Sequence, residues 1–193
     1  MDKYNVYQDM SRRTGGEIYL GIVGPVRTGK STFIKRFMEL VVIPEMADDN
    51  EKVRTIDELP QSADGKTIMT TEPKFIPKEA AVIHFSNQET GKIRLIDCVG
   101  YLVPEAVGAI EEEKERMVKT PWSEEEIPFS KAAEIGTSKV IREHSNLGLI
   151  ITTDGSFGDI PAVNFEEALQ KTVMECEKAG KPFLILVNTC SPD

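Results

Sequence analysis

The feature that most constrains this chain is GPVRTGKS at residues 24–31. It matches GxxxxGK[ST] at every specified position. Before it runs EIYLGIVG at 17–24, a short apolar stretch closed by glycine, which reads as a buried strand of a parallel sheet. After it, Phe33, Ile34, Phe37, Met38 and Val41 recur at helical spacing until Pro44 stops the pattern. The bare pattern arises by accident in on the order of one in a hundred chains of this size. The strand before it and the helix after it remove most of those accidents, because this is the context its chemistry needs. Gly24 and Gly29 let the backbone curl so that consecutive N–H groups face inward at the positive end of a helix, an arrangement suited to phosphate oxygens. The candidate phosphate-binding set is therefore Gly24, Pro25, Val26, Arg27, Thr28, Gly29, Lys30, Ser31 and Thr32. Within it Lys30 is placed to bridge β- and γ-phosphates, Ser31 to ligate Mg²⁺, and Thr32 to reach the α-phosphate side. Arg27 is either a phosphate contact or a solvent-facing side chain.

The rest of the chain alternates in the manner of an α/β sheet. Residues 1–16 are polar and read as an N-terminal arm, followed by a nucleotide-binding domain over 17–193. Residues 46–71 are charged, contain Pro60 and Gly65, and show no clean period, so they read as a long loop, the front of a switch region over 46–79. Strand-like runs at 81–86 and 93–97, joined by NQETG, predict an antiparallel hairpin. Residues 101–130, with EEEKER and SEEE, read as an acidic insert of solvated helix and loop. Helix-like patterns at 132–144 and 165–179 alternate with strands at 147–153 and 183–188. The expected architecture is a three-layer P-loop NTPase with a mostly parallel sheet and one antiparallel hairpin strand. The fifth strand comes directly before the last residues with no helix to cover it, which predicts a piece of a longer protein.

IRLIDCVG at 93–100 ends an apolar strand in Asp97, with Gly100 three residues on. Asp97 is the candidate Walker-B acid, the carboxylate that holds Mg²⁺ through water, and Gly100 would offer its N–H to the γ-phosphate. Between the two motifs lies KTIMTTEP, in the position where nucleotide switches carry a Thr that ligates Mg²⁺ and senses the γ-phosphate. Thr70 and Thr71 are both candidates, and Lys66 could add charge there. The strand LILVN ends at Asn188, where guanine readers carry NKxD, but Asn188 is followed by Thr189, Cys190 and Ser191. Ser191 replaces the Asp that accepts from guanine and cannot supply a charged bidentate acceptor, so ATP is the expected nucleotide. Tyr101 follows Gly100 where many relatives carry a water-orienting Gln, so no intrinsic base is visible and slow hydrolysis is expected. SFGD at 156–159 follows a strand and either borders the nucleotide or is a plain turn.

Composition narrows the class. The 193 residues carry 23 Lys and Arg against 32 Asp and Glu, a formal charge of −9, which disfavours binding to nucleic acid or anionic lipid by charge alone. No apolar run approaches the roughly 20 residues of a membrane-spanning helix, and the first residues lack a secretory apolar core. Cys98, Cys176 and Cys190 show no CxxC spacing, consistent with a reducing cytosol, and His84 and His144 have no partners at zinc spacing.

The combination GPVRTGKS, GKTIMTTEPKFIP, LIDCVGY, TTDGS and LVNTCSP closely resembles the stage IV sporulation protein A family, from about Tyr4 to the end. The resemblance implies a branch of the translation-factor-like GTPase class that has switched to ATP. It implies an Mg²⁺-dependent ATPase coupling hydrolysis to self-assembly of a static polymer, the basement layer of the spore coat, on the forespore surface in the mother-cell cytoplasm. It would carry Lys30 as the phosphate-binding lysine, Thr70 and Thr71 as γ-phosphate sensors and Asp97 as the Mg²⁺-linked acid. The family's further domains, associated with polymerisation and with docking on a small membrane-associated partner, are not found in these residues. The competing readings are a GTP-binding regulatory switch, a phosphate-loop kinase and a passive nucleotide-binding scaffold. The kinase ranks last because the insert carries only Arg116 as a lid arginine.

Overall fold

The computed structural model describes residues 16–60, 72–84, 90–106, 110–111 and 114–192. The first strand, β1 (Glu17–Val23), becomes more buried toward its carboxyl end. Helix α1 (Lys30–Phe37) runs straight into a π-helical turn, Met38–Val42, and then a 3-10 turn at Ile43–Glu45. Ile34, Met38 and Val42, spaced by four and all fully buried, form its inner face.

The segment expected as a loop from residue 46 instead contains helix α2 (Asp49–Glu58). The Asp48 side chain caps it, accepting from the N–H of Asn50 at 2.7 Å and of Glu51 at 3.3 Å. It escaped the periodicity reading because Thr55 is the helix's buried residue, while Val53 and Ile56 face outward. The Glu58 carboxylate accepts from the Lys78 N–H at 2.8 Å and ties α2 to the next strand.

That strand, β2 (Lys74–His84), begins well before the expected residue 81 and pairs antiparallel with β3 (Thr90–Asp97). Among its described residues the acidic insert forms no solvated helix ahead of Phe129. It holds two small antiparallel pairs, β4 (Ile110–Glu111) with β5 (Lys114–Glu115), and β6 (Met117–Thr120) with β7 (Ser123–Pro128). Prolines at 121 and 128 are poor helix residues, and Val118, Thr120 and Ile127 suit a strand. Helix α3 (Phe129–Lys139) starts directly after Pro128 and buries Phe129, Ala132, Ala133, Gly136 and Thr137 along one face, then runs into a π-helical turn at Val140–His144. Strand β8 (Leu147–Thr153), helix α4 (Glu166–Lys178) and strand β9 (Phe183–Asn188) complete the order close to expectation.

The main sheet runs β2-β3-β1-β8-β9, parallel except for β2. Side chains alternate between its faces. Leu20, Ile22, Leu95, Leu149 and Ile151 pack with Ile34, Met38 and Val42 on the α1 side. Val23, Ile96 and Ile150 pack with Val140, Ile141 and Cys176 on the α3 and α4 side. A sheet with helices on both faces, three layers, is what parallel strands require. At the edge, β9 leaves Leu184 61% and Val187 56% exposed. The carboxyl ends of β1, β3, β8 and β9 lie along one rim of the sheet, since Ile22 pairs with Asp97 and Thr153 with Asn188. Open α/β sheets bind ligands at that rim.

Candidate functional site

The loop from β1 to α1 sits at the centre of the rim. Gly24 takes φ +127°, and a methyl there would stand 2.4 Å from the Ile151 carbonyl oxygen of β8. Gly29 takes φ +90° as the residue capping α1, with no side-chain cap and no acid in the first turn. The first N–H groups of α1 are thus left for an outside acceptor, at the end of the helix that favours anions. Arg27, also left-handed at φ 61°, is exposed on the loop, as are Ser31 and Thr32 at the start of the helix. Thr28 is fully buried and donates to the Pro25 carbonyl at 3.0 Å, which holds the loop's curl.

Lys30 is buried, and its ammonium donates to the Pro25 carbonyl at 2.5 Å. Burial lowers its pKa, against which Cys98 and Asp97 act in the opposite sense. A buried cation of this kind is stabilised by an anion brought to it. Across the rim Asp97 ends β3, and its Oδ2 accepts from the Ser31 hydroxyl at 3.0 Å. Its other oxygen is buried and has no hydrogen-bond partner among the described residues. Burial raises the Asp97 pKa, with Lys30 and the Ser31 bond opposing. Lys74 stands opposite Asp97 in the β2–β3 ladder and adds positive charge. Buried beside it, the Cys98 thiol is pushed up to about 11, chiefly by its burial.

The segment after Asp97 is stitched to the phosphate loop. Tyr101 N–H donates to Gly24 O at 3.2 Å and Val26 N–H to Tyr101 O at 2.9 Å, closing a parallel bridge between Pro25 and Tyr101. Gly100, at φ +93°, passes so near that a methyl on it would lie 2.1 Å from Gly24 O and 2.7 Å from the Lys30 ammonium. The Tyr101 ring is buried among Val26, Val103, Phe165 and Ala168, with the Lys171 ammonium 5.0 Å from its centre. Burial pushes its phenol well above the ordinary value.

On the other side of the loop, the Asn188 amide donates to Thr28 O at 3.2 Å. The neighbouring turns after β8 and β9 hold each other: Thr189 donates its hydroxyl to Asp154 at 2.6 Å, and Cys190 N–H donates to the Ser156 hydroxyl at 2.8 Å. Asp154 is held down to about 2 by the Ser156 and Thr189 hydrogen bonds. SFGD thus begins as a turn against the β9 loop. The sequence pattern missed Asp154 and the stitching at Tyr101; the strand-end DGS cluster was the available signal for the former. Lys66, Thr70 and Thr71 lie outside the described residues. Lys30, Ser31, Asp97, Gly100 and Asn188 are brought around one loop.

These residues fit Mg²⁺ and a triphosphate. The available donors are hard oxygens, from a serine hydroxyl and a carboxylate with one free buried oxygen. Among the described residues no cluster of three or more His, Cys, Asp and Glu side chains could hold a metal. Mg²⁺ needs none, being held by one or two protein oxygens plus phosphates and water.

The class defined by this fold and rim is a mixed α/β ATPase domain, with a phosphate loop at the centre of a mostly parallel sheet. The family model described as "Stage IV sporulation protein A, ATPase domain" matches residues 1–193. The chain belongs to that family. It is 55% identical over 192 residues to stage IV sporulation protein A of Bacillus subtilis (strain 168) and equally to that of Bacillus anthracis, covering 100% of this chain and 39% of each relative. With the Clostridioides difficile (strain 630) protein of the same name it shares 50% over 188 residues, 97% of this chain and 38% of the relative. The chain therefore spans about two-fifths of the length of these relatives. Among the described residues no helix is long and apolar enough to cross a membrane.

Proposed function

We propose that this chain hydrolyses ATP to ADP and phosphate, slowly and with Mg²⁺, and that turnover drives its self-assembly into a static polymer, the basement layer of the bacterial spore coat. The observation that carries the catalytic half is the Ser31–Asp97 pair, 3.0 Å apart, at the mouth of a loop that buries the Lys30 ammonium. Lys30 and the first N–H groups of α1 neutralise and orient the β- and γ-phosphates. Gly100 N–H contacts the γ-phosphate, and Thr70 and Thr71 sense its presence. Ser31, Thr70 and Asp97 would hold Mg²⁺, which when bound neutralises charge across the β- and γ-phosphate oxygens. Water attacks the γ-phosphorus, the bond to the bridging oxygen of ADP breaks, and the water's proton passes to phosphate.

The antiparallel β2 beside β3 in an otherwise parallel sheet supports the translation-factor-like branch of P-loop NTPases. Ser191 in place of a base-reading Asp supports ATP over GTP. The family and the shared name of the relatives support a place in sporulation. The protein then works in the mother-cell cytoplasm, peripheral at the forespore surface. Its partners are copies of itself, coat proteins and a small membrane-associated morphogenetic protein reached through regions beyond these residues, without nucleic acid.

The test is phosphate release from ATP and from GTP with Mg²⁺ at several protein concentrations, for wild type, Lys30→Ala, Asp97→Ala and the Thr70/Thr71 double alanine. Release from ATP that rises faster than linearly with protein and is lost in all variants supports the proposal. Release from GTP alone would establish a GTP switch instead, and saturable binding without release a passive scaffold.

A further inference from the structure

The phosphate loop has two flanks in the sheet order β3-β1-β8-β9. Asp97 and Gly100 occupy the β3 flank, where Lys30 and Ser31 meet them, the side to which the function proposed above assigns the terminal phosphate. The nucleoside must then extend toward the turns after β8 and β9. Those turns are latched by Asp154. Its carboxylate accepts from the Thr189 hydroxyl at 2.6 Å and from the Ser156 N–H at 2.9 Å. The Thr189 hydroxyl in turn accepts from the Ser191 N–H at 3.1 Å, and the Ser156 hydroxyl from the Cys190 N–H at 2.8 Å. Asn188, next to Thr189, reaches the phosphate loop at Thr28 O and crowds Gly29 so closely that a methyl there would meet its amide nitrogen at 2.6 Å.

In a guanine reader the carboxylate of this loop lies within the loop and faces the base. Here the carboxylate comes from the neighbouring turn, and its hydrogen bonds run to Thr189 and Ser156. We propose that Asp154 is a positioning residue for the nucleoside side of the site, holding residues 188–191 as the wall against which an adenine nucleoside rests. This deepens the ATP reading above and rests on it. Asp154 acts through Thr189, so the phosphates do not feel its loss, whereas the nucleoside does.

The experiment measures equilibrium affinity for Mg-ATP and for Mg-tripolyphosphate in wild type, Asp154→Ala, Thr189→Val and the double variant, with the melting temperature of each ligand-free protein. Asp154→Ala is expected to bind ATP about tenfold more weakly, the scale of a lost charge-assisted bond, and tripolyphosphate as well as wild type does. Thr189→Val should match it, and the double variant should be no weaker than either single one. Should the alanine variant melt early, Asp154→Asn, which keeps an acceptor for Thr189, carries the same comparison with a smaller loss. ATP binding unchanged in Asp154→Ala, or equal losses for ATP and tripolyphosphate, would overturn this inference alone. A wild type that binds tripolyphosphate but no ATP would overturn the ATP reading and this inference with it.

Discussion

Replacing Gly100 by alanine tests the stitching of the β3 loop to the phosphate loop. The new methyl would stand 2.1 Å from Gly24 O and 2.7 Å from the Lys30 ammonium, in a backbone at φ +93°. A carbon rests no closer than about 3.3 Å to a carbonyl oxygen, so the two segments must part by about 1 Å. That takes the Tyr101 N–H, 3.2 Å from Gly24 O, out of hydrogen-bonding range. Left-handed backbone costs an L-residue about 1–2 kcal/mol, and the lost bond adds about 1 kcal/mol. A destabilisation of about 2–3 kcal/mol lowers the melting temperature of a domain this size by about 4–12 °C. The displacement also moves Lys30, so phosphate release from ATP should fall on the order of a hundredfold, the usual consequence of misplacing a catalytic group by that distance. Thermal unfolding by circular dichroism and a phosphate-release assay measure the two effects. A Gly100→Ala protein that melts with the wild type and turns over ATP at the same rate would refute the argument.

Two smaller perturbations probe the scaffold. Asp48→Ala removes the cap of α2 and should cost about 1 kcal/mol, a fall of about 2–4 °C in melting temperature, whereas Asp48→Asn should melt close to wild type. Glu175 accepts from Arg142 at 2.7 Å and from Ser138 at 2.6 Å, and chiefly the Arg142 bond holds its pKa below the usual carboxylate range. Because the folded value is the lower one, the stabilisation is present above the unfolded value and is lost as pH falls through the folded one. Glu175→Gln should therefore melt below wild type at neutral pH, and the gap should close as the pH falls below the ordinary glutamate range; a gap that stays constant as the pH is lowered would contradict the assignment.

What could be read from the residues alone was what local spacing determines. The turn of 24–31 and the acid at Asp97 carry their own context, an apolar strand before each, and the folded chain brings Ser31 and Asp97 to 3.0 Å. Helix α2 was hidden because its sequence has almost no apolar face, and its one clear mark, the Asp48 cap, is a two-residue signal. The pair β6 and β7 was hidden by the acidic SEEE run, which resembles a solvated helix, while its strand character depends on cross-strand partners such as Val118 and Ile127. The latch between Asp154 and Thr189 joins residues 35 apart. Its geometry exists only once β8 and β9 are paired, so no local pattern announces it.

Calorimetric titration of the chain with ATP and with GTP, Mg²⁺ present, tests the proposed ATP selectivity of the loop at 24–31. ATP is expected to bind at least about tenfold more tightly than GTP, since without a charged acceptor the N–H donors of guanine lose their water and gain no partner, with Lys30→Ala abolishing both. GTP binding as tightly as ATP or tighter would contradict it.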